Sequence, residues 1–153
     1  LSNMIASRGR NTHHYETVLA TMGFNSGRHY WEITIDVYGT EEDIFIGVCK
    51  EETKLTAHGV ETPEQHGVGN AHLVEKFGHL TTGALEPYGD YTKIGEIIGV
   101  LLEYIGPVAQ VTYFRNGVNL GKAFDNLPTN VLLYPCVSLY NNEETDCQVT
   151  LNS

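Results

Sequence analysis

"GFNSGRHYWEITIDVYG", residues 23–39, holds the only tryptophan of the chain. Trp31, Ile33, Ile35 and Val37 fall on one parity, and Tyr30, Glu32, Thr34 and Asp36 on the other. Successive side chains of a strand point to opposite faces, so the stretch reads as a strand with an apolar inner face and a polar outer face. A helix would align Trp31 with Ile35 and send Ile33 and Val37 elsewhere. Trp31 is therefore expected to anchor a core, as large aromatics mostly do. The competing reading of Trp31 is an exposed platform for a ligand.

Outward from this strand, period-2 patterns recur between Gly, Asn and Pro punctuation. Residues 44–49 (IFIGVC) form the next strand after an acidic turn, and residues 96–104 (EIIGVLLEY) are apolar on both parities, as for a strand covered on both faces. Residues 108–115 follow Gly106-Pro107, and Asn116-Gly117 supplies a favourable hairpin turn into residues 118–124. "NVLLYPCVSLY" and "TDCQVTLN" read as the last two strands, and "HHYETVLAT" as one leading into the Gly23-Phe24 turn. No segment of helical length carries period-3.6 patterning, a short turn near "NAHLVEKFG" being the best exception. Residues 53–91 are the least regular and are expected to form long loops. Many short strands with regular turns predict an all-β, antiparallel β-sandwich.

The chain has 153 residues, enough for one domain with a real core, and 41% of them are hydrophobic. Residues 1–153 are read as that single domain. It begins at Leu1, so it is expected to be a piece of a longer protein. No stretch is long and apolar enough to span a bilayer, and no signal-peptide pattern opens it. Nineteen acidic residues face nine basic ones, a formal net charge of −10. Binding nucleic acid through its phosphates needs clustered Lys and Arg, and an anionic membrane surface would repel such a chain. Neither partner is expected; a basic or neutral peptide is compatible. Cys49, Cys136 and Cys147 are odd in number, form no C-x-x-C pair, and accompany no Asn-x-Ser/Thr sequon. That combination predicts buried, unpaired thiols and an intracellular location, cytoplasmic or nuclear.

Chemistry is sparse. Seven histidines show no Cys/His spacing that reads as zinc, and the neighbours His13 and His14 would point to opposite faces of a strand. There is no G-x-S-x-G elbow and no phosphate-binding glycine motif. Carboxylates cluster at predicted turns, as solvated loop tips do. No catalytic residue, metal or cofactor is expected.

The motifs together carry a resemblance. "GFNSGRHYWEITI" is similar to the opening strand of SPRY domains, where a Gly-rich turn leads into a Tyr-Trp-Glu-Val/Ile strand. "GEIIGVLLEYIGPVAQVTYFRNGVNLGKAF" resembles the family's central block, with Glu96 where Asp is usual and a slightly longer turn that suggests a protruding hairpin. "LLYPCVSLY" resembles its Tyr-Pro-x-Val-Ser-Leu strand. The likeness runs over about residues 15–151. It implies a SPRY β-sandwich, a non-catalytic and monomeric module that binds a peptide or protein surface through loops at one end, for instance as the substrate-recognition part of a ubiquitin ligase. The family's pattern points to residues 38–43, with Tyr38, Glu41, Glu42 and Asp43, and to residues 140–142, with Tyr140, Asn141 and Asn142. Residues 58–66, with His58, are a third candidate. A carbohydrate-binding sandwich and a purely structural domain are the alternatives.

Overall fold

The computed structural model describes residues 4–8, 15–38, 44–51, 65–69, 75–77, 86–87, 93–140 and 147–152. Along them run the strands β1 (Met4–Arg8), β2 (Tyr15–Leu19), β3 (Arg28–Val37), β4 (Ile44–Cys49), β5 (Gln65–Gly69) and β6 (Glu75–Phe77). They continue as β7 (Glu86–Pro87), β8 (Ile97–Ile105), β9 (Val108–Arg115), β10 (Val118–Leu127), β11 (Tyr134–Tyr140) and β12 (Cys147–Asn152). Two six-stranded sheets result, ordered β1-β12-β3-β8-β9-β10 and β2-β11-β4-β5-β6-β7. Every pairing is antiparallel, and no helix occurs among the described residues.

The parity of the tryptophan strand holds in space. Trp31, Ile33 and Ile35 are buried, and they pack with Ile98, Val100 and Leu102 of β8 against Ile44, Ile46, Val48, Val137 and Leu139 of the second sheet. Tyr113 of β9 is fully buried between the layers, and its hydroxyl donates to the carbonyl of Ile46 at 2.9 Å. A buried phenol needs such a partner, and this one ties the two sheets together.

Strand β8 is buried on both parities for a local reason. On the outer face Tyr30 lies across Gly99, where an added Cβ would collide with the phenol ring. The ring meets Phe114 edge to face at 5.8 Å, and its hydroxyl donates to Glu32 at 2.9 Å. The covering layer is thus made of the sheet's own aromatic side chains.

All three cysteines are buried and none is disulfide-bonded. Hydrogen bonding to Cys49, and then burial, push the Cys136 thiol well above its ordinary value. Such a thiol stays protonated and is a poor nucleophile at neutral pH.

Two expectations need correction. Residues 53–91 contain three short strands, β5 to β7, which extend the second sheet through Gly67↔Phe77 and Glu75↔Pro87. The helical turn expected near residues 70–78 is overturned at Glu75–Phe77, which is strand β6, paired on both sides. Ladder hydrogen bonds from β5 and β7 outweigh local propensity there. The 8–9 hairpin extends only slightly. Its pairing continues to Ile105↔Val108, whereas β3 stops at Arg28↔Glu103, so the added length is strand rather than loop.

Candidate functional site

Antiparallel pairing sends successive connections to alternate ends of the sandwich. Val37, the last residue of β3, pairs with Gln148 at the start of β12. Ile44, the first residue of β4, pairs with Leu139 near the end of β11, whose last residue Tyr140 pairs with Tyr15. The chain therefore leaves β3 and β11, and re-enters β4 and β12, at one end. Cys49 pairs with Gln65 at the opposite end, where the chain leaves β4 for β5. The strand ends flanking residues 38–43 and 140–146 are thus neighbours, and those flanking residues 58–66 are not.

Of the expected binding residues, Tyr38 is half-buried and packs against the core, so part of its ring is committed to the frame. Tyr140 is placed by its backbone as the last residue of β11. Glu41, Glu42, Asp43, His58, Asn141 and Asn142 lie outside the described residues.

What supports this end is well defined. Asp36 accepts hydrogen bonds from Thr150 Oγ1 at 2.6 Å and Gln148 Nε2 at 3.1 Å. One residue short of the point where β3 ends, this carboxylate clamps β12 to β3. Asn152 Nδ2 repeats the tie lower down, donating to Thr34 Oγ1 at 2.8 Å. Along the same sheet, Arg115 and Glu96 form a two-pronged pair, with Nη2 at 2.9 Å and Nε at 3.1 and 3.2 Å from the carboxylate oxygens. Burial alone would raise the Glu96 pKa. The Arg115 hydrogen bonds, the Lys93 N–H at 2.7 Å and the nearby positive charges outweigh it and hold the carboxyl below its ordinary value. Asn116 takes a positive φ of 48° in the 9–10 turn, and its Oδ1 accepts from the Ile97 N–H at 2.9 Å. Asparagine tolerates that backbone, as the Asn-Gly signal requires.

Of these supporting residues, the sequence marks Asn116 as a turn and Glu96 as a motif position, but not the pairings of Asp36 or of Glu96 with Arg115. Asp36 meets its partners across 112 and 114 positions, a separation no local pattern reports. Glu96 and Arg115 are 19 apart, and only the hairpin register joins them. Among the described residues no group of three or more His, Cys, Asp or Glu is arranged to hold a metal ion.

The model of the SPRY domain family matches residues 28–152. The chain belongs to the SPRY family. SPRY domains are in general protein-interaction modules, and this one has that family's two antiparallel sheets. It is similar to Ran-binding protein 10 of Danio rerio, 31% identical over 118 residues covering 74% of this chain and 18% of that protein. Ran-binding protein 9 of Homo sapiens is likewise 31% identical over 118 residues, covering 74% of this chain and 14% of that protein. The chain spans less than a fifth of the length of these relatives. Among solved structures, the SPRY domain of human HERC1 superposes with a TM-score of 0.77 at 19% identity, covering 97% of this chain and 87% of that one. A second human SPRY domain gives 0.76 at 18% identity, covering 97% and 90%. At such identities the structural likeness speaks for the fold alone. In this SPRY domain Glu96 reaches Arg115 and the Lys93 N–H together.

Proposed function

We propose that this SPRY domain is a non-catalytic recognition module whose ligand is a peptide or protein surface, bound at the end where β3, β4, β11 and β12 terminate. The observation that carries the reading is the pairing of Val37 with Gln148 and of Ile44 with Leu139. Residues 38–43 and 140–146 start from adjacent strand ends and carry Glu41, Glu42, Asp43, Glu143, Glu144 and Asp146. Added to a net charge of −10, they favour a ligand with Lys or Arg beside a compact anchor. Tyr38 and Tyr140 flank the same connections and offer apolar area with a hydroxyl. A sandwich suits this task because a rigid frame presents variable connections.

In the full protein the domain acts as the recognition part of a larger assembly, a ubiquitin ligase or a scaffold, in a reducing intracellular compartment that keeps its three cysteines as thiols. The relatives' name attaches Ran binding to proteins of which the matched stretch is only 18% and 14%. The ligand of this domain is a basic peptide or protein surface, bound by a monomer.

The test is kinetic binding to a partner recovered by pull-down, with folding checked by circular dichroism. Glu41→Lys with Glu42→Lys is expected to slow association and flatten its salt dependence, because rim charges steer encounter and are screened by salt. Tyr140→Ala is expected to cost about 1–3 kcal/mol, chiefly in the off-rate. Wild-type kinetics in both variants would move the site elsewhere, with residues 58–66 the next candidate.

A further inference from the structure

A cleft of ≈ 150 Å³ opens between the sheets on the side where β1 and β2 are the edge strands. One wall comes from Trp31 and Ile33 of β3 with Val149 and Leu151 of β12; the other comes from Val18 of β2 and Val137 of β11. Ile5 and Val18 are 64% and 48% exposed although both line it, so they mark its mouth. The lining carries no charged side chain, and Thr21 is its single hydroxyl.

The second observation is chemical. Trp31 is 6% exposed, and its Nε1–H is sealed from solvent with no hydrogen-bond acceptor. Buried polar groups nearly always have a partner, and an orphan donor carries a desolvation cost that an acceptor would remove. Water is a poor partner against these walls, since it needs two to four polar partners and the side chains offer a single hydroxyl, while an apolar space of about 150 Å³ suits a benzene-sized molecule.

We propose that this cleft is a binding site for a compact, neutral, apolar small molecule carrying one hydrogen-bond acceptor, which Trp31 Nε1–H engages. Volume sets the size at roughly one six-membered ring. The uncharged walls exclude ions, because an unpaired charge is costly to desolvate. The acceptor is specified by the orphan donor. Because that donor is sealed from solvent, contact requires the indole to turn its N–H toward the cleft. The site is separate from the acidic end and is independent of the peptide-binding reading.

The chain's single tryptophan makes the test selective, since its indole N–H gives one resonance in a ¹⁵N–¹H spectrum. Cyclohexanone and methylenecyclohexane, which match in shape but differ in the acceptor, are titrated into the labelled chain. Cyclohexanone is expected to shift the indole resonance downfield and to bind about threefold to tenfold more tightly, the worth of one net hydrogen bond. Ala20→Phe, which fills the cleft, and Val18→Phe, which narrows its mouth, are expected to abolish the shift at unchanged far-UV circular dichroism. An unmoved indole resonance, equal affinity for the two probes, or undiminished binding in a folded cleft-filled variant would each overturn the proposal.

Discussion

At one end of the sandwich, residues 20–27, the turn after β8 and residues 128–133 are fastened to each other through neutral groups. Phe24 and Leu133 exchange both backbone hydrogen bonds at 2.8 and 2.9 Å. Tyr104 adds its hydroxyl to the Phe24 carbonyl at 2.7 Å and its N–H to the Gly27 carbonyl at 2.9 Å. Phe24 stacks on His29 at 3.7 Å, and the His29 ring reaches the Ser26 carbonyl at 2.7 Å. The opposite end is tied along its strands by carboxylates, Asp36 to β12 and Glu96 to Arg115, while its sheet-to-sheet connections carry the acidic residues. One end closes the frame mainly with neutral contacts, beside a solvent-exposed Arg28–Glu103 pair at 3.2 Å; the other uses more enclosed charged groups to hold strand ends beneath the connections assigned to ligand. The difference explains the Gly-Arg-His approach to Trp31. Gly27, with φ of 84°, lets the chain turn at the closed end and enter β3 in register.

The largest effect should fall on the frame that both ends share. Trp31→Ala is expected to destabilise the domain by about 3–5 kcal/mol, as large aromatic truncations in cores do. Partner affinity should persist wherever the variant remains folded. Chemical denaturation shows the first and binding below the transition the second; lost affinity at undiminished stability would turn Trp31 into a ligand contact.

Next comes the outer face. Gly99→Ala is expected to cost about 1–3 kcal/mol through overpacking against the Tyr30 ring. Combining it with Tyr30→Ala should recover part of that loss, and a double-mutant cycle with no coupling would show that the ring does not depend on Gly99.

The two ends should also separate by pH. Burial pushes the Tyr104 pKa up to about 12 from an ordinary 10.0. The unfolded chain then ionises first, so this contribution is intact below pH 10 and fades as pH rises from 10 to 12. Tyr104→Phe should cost about 1 kcal/mol at neutral pH and remove that alkaline slope. Glu96 runs the other way. Its depressed pKa gives stability that is present above the ordinary value of 4.5 and is lost as pH falls through the folded value. Glu96→Gln should cost less, up to about 1 kcal/mol for a pair still open to solvent, and flatten the acid limb. Acid and alkaline limbs that respond to both variants alike would erase the contrast between the ends.

Strands with strong period-2 patterns or turn signals were legible from sequence: β3, β4, the 8–9–10 meander around Asn116-Gly117, and β11 with β12. The strands that were missed share weak side-chain signals. In β5, QHGVG, two glycines remove the alternation; β7 contains Pro87, which fits only because β7 is an edge strand. In β1, Ile5 is exposed at a sheet edge, so its pattern never matched a core face. Each is held by pairing to a neighbour, which a single chain does not advertise locally. At the candidate site the acidic residues and Tyr140 were legible as types. The resemblance implies that the two connections carrying them share one end; the register that sets Val37 beside Gln148 and Ile44 beside Leu139 puts the flanking strand ends together.

The central claim is that the ligand meets the acidic end and leaves the closed end untouched. Backbone amide shifts of the ¹⁵N-labelled domain, recorded while a partner recovered by pull-down is titrated in, test it most directly. The account predicts that perturbations concentrate at the strand ends around Val37, Ile44, Leu139 and Cys147, while Phe24, His29, Tyr104 and Leu133 stay still. Shifts centred on Phe24 and Tyr104, with the Val37 and Leu139 amides unmoved, would contradict it.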